Sequence, residues 1–151
     1  MKLLRPWAGN NKKGFTLFEM LLAISILVIL LAITGPISLN FYNIYQFDSE
    51  VDTLISLLEK ARSSALANRN ESAHGLYFDS GAFVIFQGSS YASRAAALDK
   101  TFSRSDTVTI SGPSEVVFSA LSGQAPSAAY NLISGQRNEN VYVNTEGTII
   151  Y

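Results

Sequence analysis

The chain has 151 residues, about one domain by the usual prior of roughly 150 residues per domain. Its apolar content of 48% and net charge of −1 conceal two kinds of material: residues 15–47 hold 23 apolar positions of 33, whereas residues 48–151 hold 44 of 104. These values exclude a polytopic membrane protein and a disordered chain, and zero cysteines with one histidine exclude disulfide frameworks, thiolate zinc sites and thiol nucleophiles.

The first 14 residues carry Lys2, Arg5, Lys12 and Lys13 and no acid. Without them the chain would hold 7 basic and 12 acidic side chains, formally −5, which argues against general binding of phosphate backbones. Between Lys13 and Asp48 the only side chain charged at neutral pH is Glu19.

From Phe15 to Pro36 the sequence is long and apolar enough for the roughly 20 helical residues that a bilayer core requires. A cleaved secretory signal fits poorly, because Thr34-Gly35-Pro36 offers no small-x-small cleavage site and Glu19 heads the apolar run. A plain anchor explains the hydropathy, and the basic leader would keep the N-terminus in the cytoplasm. It does not explain Glu19, whose charge costs on the order of 2.5–3.5 kcal/mol at a bilayer centre and less near its edge.

Lys12-Lys13-Gly14-Phe15-Thr16-Leu17-Phe18-Glu19-Met20-Leu21-Leu22 resembles the class III signal of type IV pilins and pseudopilins. The resemblance implies that a prepilin peptidase cuts between Gly14 and Phe15 on the cytoplasmic face. Phe15 would then be N-methylated, and the apolar segment would stay in the mature protein. Phe15 and Glu19 stand one helical turn apart and are expected to face the same way. A new amine at Phe15 would be a cation in an apolar assembly, where each charge needs a partner. In that family the glutamate is thought to meet the terminal amine of a neighbouring subunit. Phe18 departs from the isoleucine or leucine commoner at its position.

Gly35 and Pro36 predict a helix kink or local melting, since proline removes a donor and clashes with the preceding turn. Phe41, Tyr42, Tyr45 and Phe47, mixed with Asn40, Asn43 and Gln46, read as an interfacial belt. Val51, Leu54, Ile55, Leu58, Ala61, Ala65 and Leu66 then recur at helical spacing, a stripe facing a core. The helix should end near Asn68–Asn70, giving a rod of about 80 Å from Thr16.

Beyond it, strands are expected at Gly75–Asp79, Ala82–Gln87, Thr107–Ser111, Val116–Leu121, Ala128–Ser134, Asn140–Asn144 and Thr148–Tyr151. Ser80-Gly81 and Thr145-Glu146-Gly147 are hairpin signals, and Arg94–Leu98 reads as a short helix or an edge. The expected fold is α+β: a long N-terminal helix, transmembrane in its first half and amphipathic in its second, packed on a small antiparallel sheet domain. The expected divisions are a leader at 1–14, a transmembrane and assembly helix at 15–47, and a globular part at 48–151.

The C-terminal layout resembles the GspH/FimT family of minor pseudopilins and minor pilins. The matching stretches are Ala61–Ala65, Val116–Ser119 with Gly123, and Val141–Ile149. That resemblance implies a non-enzymatic minor subunit of a type II secretion pseudopilus or a type IV pilus. Its partners would be the prepilin peptidase, other pilin or pseudopilin subunits, an inner-membrane assembly platform and membrane lipid, with no cofactor or metal. It would lie in the cytoplasmic membrane, N-terminus inside, before reaching a filament outside. The alternatives are a DNA-uptake or adhesive minor pilin at a filament tip, and an anchored domain that never assembles. Against nucleic acid, the C-terminal region offers only Arg137, with Glu139 and Glu146 close by. His74 stands alone, and no nucleophile elbow or Gly-rich phosphate loop occurs. Asn70-Glu71-Ser72 matches a glycosylation sequon by chance. Tyr77, Phe83, Phe86, Phe118, Tyr130 and Tyr142 read as core and faces of the sheet.

Overall fold

A computed structural model describes residues 14–79 and 81–151, with the backbone alone at 33–40. The chain divides into two units, 1–41 and 42–151. Helix α1, Leu17–Leu66, runs from the first into the second. Its backbone stays helical through Gly35 and Pro36, where melting or a kink is expected, and the side chains there lie outside the described residues.

In the first unit every described side chain of α1 up to Ala32 is exposed. The large apolar ones from Leu17 to Leu31 retain between 51% and 84% of their accessible surface. Ser25 is the one polar residue between Met20 and Ala32, and its hydroxyl donates to Leu21 O at 2.7 Å. That bond to the preceding turn satisfies a group that an apolar surrounding would penalise. Among the described residues no helix is long and apolar enough to cross a membrane. The described side chains of this run stop sixteen residues into α1, short of the roughly 20 that a bilayer core needs.

The second unit is α+β. Its strands are β1 (His74–Phe78), β2 (Ala82–Gln87), β3 (Lys100–Ser103), β4 (Thr109–Ser111), β5 (Glu115–Phe118), β6 (Ala128–Ser134), β7 (Arg137–Val143) and β8 (Ile149–Ile150). They form two antiparallel four-stranded sheets, ordered β3-β2-β1-β5 and β4-β6-β7-β8. The expected strands all appear, β2 and β6 with the expected ends and the others with shifted ones, and β3 is an addition. The division into two sheets is a level of organisation that strand periodicity does not encode.

The helical stripe packs against both sheets. Leu54, Leu58, Ala61 and Ala65 are buried with Leu76, Phe83 and Phe118 of one sheet and Tyr130, Leu132 and Val141 of the other. Two positions differ from expectation. Phe47 is not in an interfacial belt but in this core at 2% exposure, whereas Phe41, Tyr42 and Tyr45 are exposed. Leu66 is 45% exposed, because the helix ends there and its stripe runs out.

A buried ion pair ties the helix to the strands. The guanidinium Nε of Arg104 lies 3.5 Å from Glu50 Oε1, and Arg104 also donates to Val108 O and Asp79 O. Burial pushes the Glu50 carboxyl above its ordinary value, and the Ser105 N–H and Arg104 oppose the shift. Breaking one partner of such a pair typically costs about 3–5 kcal/mol.

The stretches that carry the C-terminal resemblance meet at the end of α1. Leu121 N donates to Ala65 O at 3.0 Å, a second bond to a terminal carbonyl that also accepts from Asn68 N, and Arg62 donates to Glu146 O. Gly147, at φ +74°, sits so close that an added Cβ would lie 1.9 Å from Gly123 O. Glycine is required there by both backbone conformation and space.

The stretch from Gly88 to Asp99 folds over the outer face of the first sheet. Tyr91 stacks on Tyr77 with ring centroids 3.7 Å apart and meets Phe86 edge-on. Arg94 covers the other face of Tyr91 and pairs with Asp99 at 2.7 Å. Residues 96–98 form a single 3-10 turn.

Candidate processing and assembly site

The start of α1 is set by a reciprocal pair of side-chain bonds. Thr16 Oγ1 accepts from Glu19 N at 3.2 Å, while Glu19 Oε2 accepts from Thr16 N at 3.0 Å and from the Thr16 hydroxyl at 3.1 Å. This is a capping box, in which the two side chains satisfy backbone donors that a helix start leaves open. Its Thr-x-x-Glu spacing is visible in the sequence, although Glu19 drew notice there as a lone charge. Substituting the cap residue of such a box typically costs about 0.5–2 kcal/mol of helix stability.

The box stops the helix at its first opportunity. Gly14, Phe15 and Thr16 therefore lie outside α1, which begins at Leu17. Phe15 is not on the helical face that carries Glu19, because it precedes the cap. In the unprocessed chain the carboxylate is engaged by Thr16. Phe15 is 83% exposed, and a Cβ placed on Gly14 would meet nothing within 4 Å. The fold thus tolerates a side chain at 14, so any need for glycine there lies with an enzyme that approaches the backbone. The Gly14–Phe15 bond is presented on non-helical, exposed chain, as a protease requires. Lys12 and Lys13 lie outside the described residues.

The other candidates are occupied structurally. His74 is buried at the start of β1, with Nδ1 donating to Ser72 O at 3.1 Å, and burial lowers its pKa below the ordinary value. Among the described residues no cluster of potential metal ligands occurs. Arg137 pairs with Asp48 at 2.9 Å and lies over the Phe47 ring. Phe83, Phe86, Phe118 and Tyr130 are buried, while Tyr77 is half-buried and Tyr142 exposed.

The family model of the prokaryotic N-terminal methylation motif matches residues 9–35. No curated protein and no solved structure matches the chain. The match covers the Gly14–Phe15 bond, the capping box and the exposed apolar run together. The chain carries the N-terminal methylation motif of type IV pilin-like proteins, the class that prepilin peptidase processes.

Proposed function

We propose that the protein is a non-enzymatic minor subunit, of the GspH/FimT kind, of a type II secretion pseudopilus or a type IV pilus. The peptidase cuts between Gly14 and Phe15, Phe15 is methylated, and the subunit waits in the cytoplasmic membrane with its globular unit outside. Assembly then transfers the apolar helix from lipid to a bundle of neighbouring helices on the assembly platform.

One observation carries this reading: the methylation motif coincides with a helix whose apolar side chains are exposed all round. So large an apolar surface has to be covered by lipid or by other apolar helices. Glu19 gains its role at assembly. Its carboxylate already accepts from Thr16, and it has lone pairs left for a neighbour's terminal ammonium. Such a charge-assisted bond is roughly twice as strong as a neutral one.

Fractionation tests the proposal. The tagged chain, expressed with a prepilin peptidase and an assembly system, should appear in both the membrane and sheared-filament fractions. A processed chain found solely in membranes would instead be an anchored domain that does not assemble.

A further inference from the structure

Seven basic side chains lie beyond residue 47. Arg94, Arg104 and Arg137 are ion-paired, and Arg62 donates to a backbone carbonyl. The other three, Lys60, Arg69 and Lys100, have no ion-pair partner among the described residues. All three line one groove of about 370 Å³. The groove runs between the last two turns of α1, the start of β1, and the β2–β3 pair. No carboxylate lines it, and its walls include Ile85, Phe86 and Leu98.

The helix dipole accounts for a cation just past Leu66, such as Arg69. It does not account for Lys100, which comes from β3, nor for Lys60, more than a turn before the helix end. Lys60 is held at the rim by the Phe102 ring, 5.2 Å from its centroid.

We propose that this groove docks an extended acidic segment of a partner protein. Charge complementarity and an apolar wall select that occupant: three cations line the groove without a carboxylate. Leu98, half exposed at the wall, offers contact to an aliphatic side chain of a peptide, which a bare phosphate lacks. The inference does not depend on filament assembly.

The test is fluorescence anisotropy of a labelled Glu-Ala-Glu-Leu-Glu peptide with the full-length chain in detergent micelles. Binding should have a Kd on the order of tens of micromolar and weaken with salt. The triple variant Lys60→Gln/Arg69→Gln/Lys100→Gln should bind at least about tenfold more weakly with an unchanged melting temperature. If the triple variant is unstable, Lys100→Gln alone should lose about two- to fourfold. Equal binding of Gln-Ala-Gln-Leu-Gln, or undiminished binding by a folded variant, would overturn the proposal. So would tighter binding of inorganic phosphate or of a short single-stranded DNA, because either would assign the groove to another ligand class.

Discussion

Helix α1 contains two stretches whose apolar side chains meet opposite fates. From Leu17 to Leu31 the large apolar side chains are exposed on every side, whereas from Phe47 to Ala65 they are buried along one stripe. The second stretch is amphipathic because the two sheets that cover it belong to the same chain. The first is apolar all round and carries a processing motif at its head. An apolar surface that the chain does not cover states what the surroundings must supply, and the single acid at its edge states where a charge must be met.

The sharpest way to break this contrast is at Glu19. Glu19→Leu removes both the cap and the counter-charge, so membrane insertion should persist while filament incorporation falls. Losing one partner of a buried ion pair costs about 3–5 kcal/mol, roughly two to four orders of magnitude in an assembly equilibrium. Thr16→Val keeps the carboxylate and removes the side-chain cap, so recovery in sheared filaments should fall far less. Equal recovery of Glu19→Leu and wild type would leave Glu19 without an assembly role.

Phe47→Ala should destabilise the globular unit by about 3–5 kcal/mol, while Tyr45→Ala, two residues earlier and 73% exposed, should stay within about 0.5 kcal/mol. Thermal unfolding of the two variants locates the point where the helix becomes part of the core. A soluble fragment should accordingly start at Tyr42, not at Asp48. Beginning at Asp48 deletes Phe47 and should lower the melting temperature.

Gly147→Ala should cost about 3 kcal/mol, combining roughly 1–2 for the left-handed backbone with 1–3 for overpacking against Gly123 O. The loss should appear in unfolding of the globular unit and leave processing at Gly14 unchanged. Reduced cleavage of this variant would show that the two regions are not independent.

The smallest effect concerns pH. Burial lowers the folded-state pKa of His74, so the unfolded chain binds its proton more readily. The contribution is present above about pH 6.5, the unfolded value, and is lost as pH falls through the folded value. His74→Gln should flatten the melting-temperature profile on the acid side of neutrality. An unchanged profile would place the pH dependence on other groups.

How much could be read in advance follows from the range of each interaction. The N-terminal motif is a run of consecutive residues, and the helix stripe and most strands repeat at short periods, so all were legible. Phe47 was misplaced because a belt aromatic and a core aromatic look alike until the covering sheet is known. The Tyr77–Tyr91 stack and the Glu50–Arg104 pair join residues 14 and 54 positions apart, and no local pattern announces either. β3 was missed because Lys100–Ser103 has a single half-buried residue, Phe102. The cationic groove gathers Lys60, Arg69 and Lys100 from separate elements, and only the fold reveals that they share a surface.

The central claim is that the exposed Gly14–Phe15 bond ahead of the capping box is a processing site. Intact-mass and N-terminal peptide spectrometry of the chain, coexpressed with a prepilin peptidase, tests it most directly. The account predicts loss of 14 residues and a new N-terminus at Phe15 carrying one methyl group, with both abolished by substituting Gly14 with a bulky residue. An intact N-terminus in a strain that processes its own prepilins would contradict it.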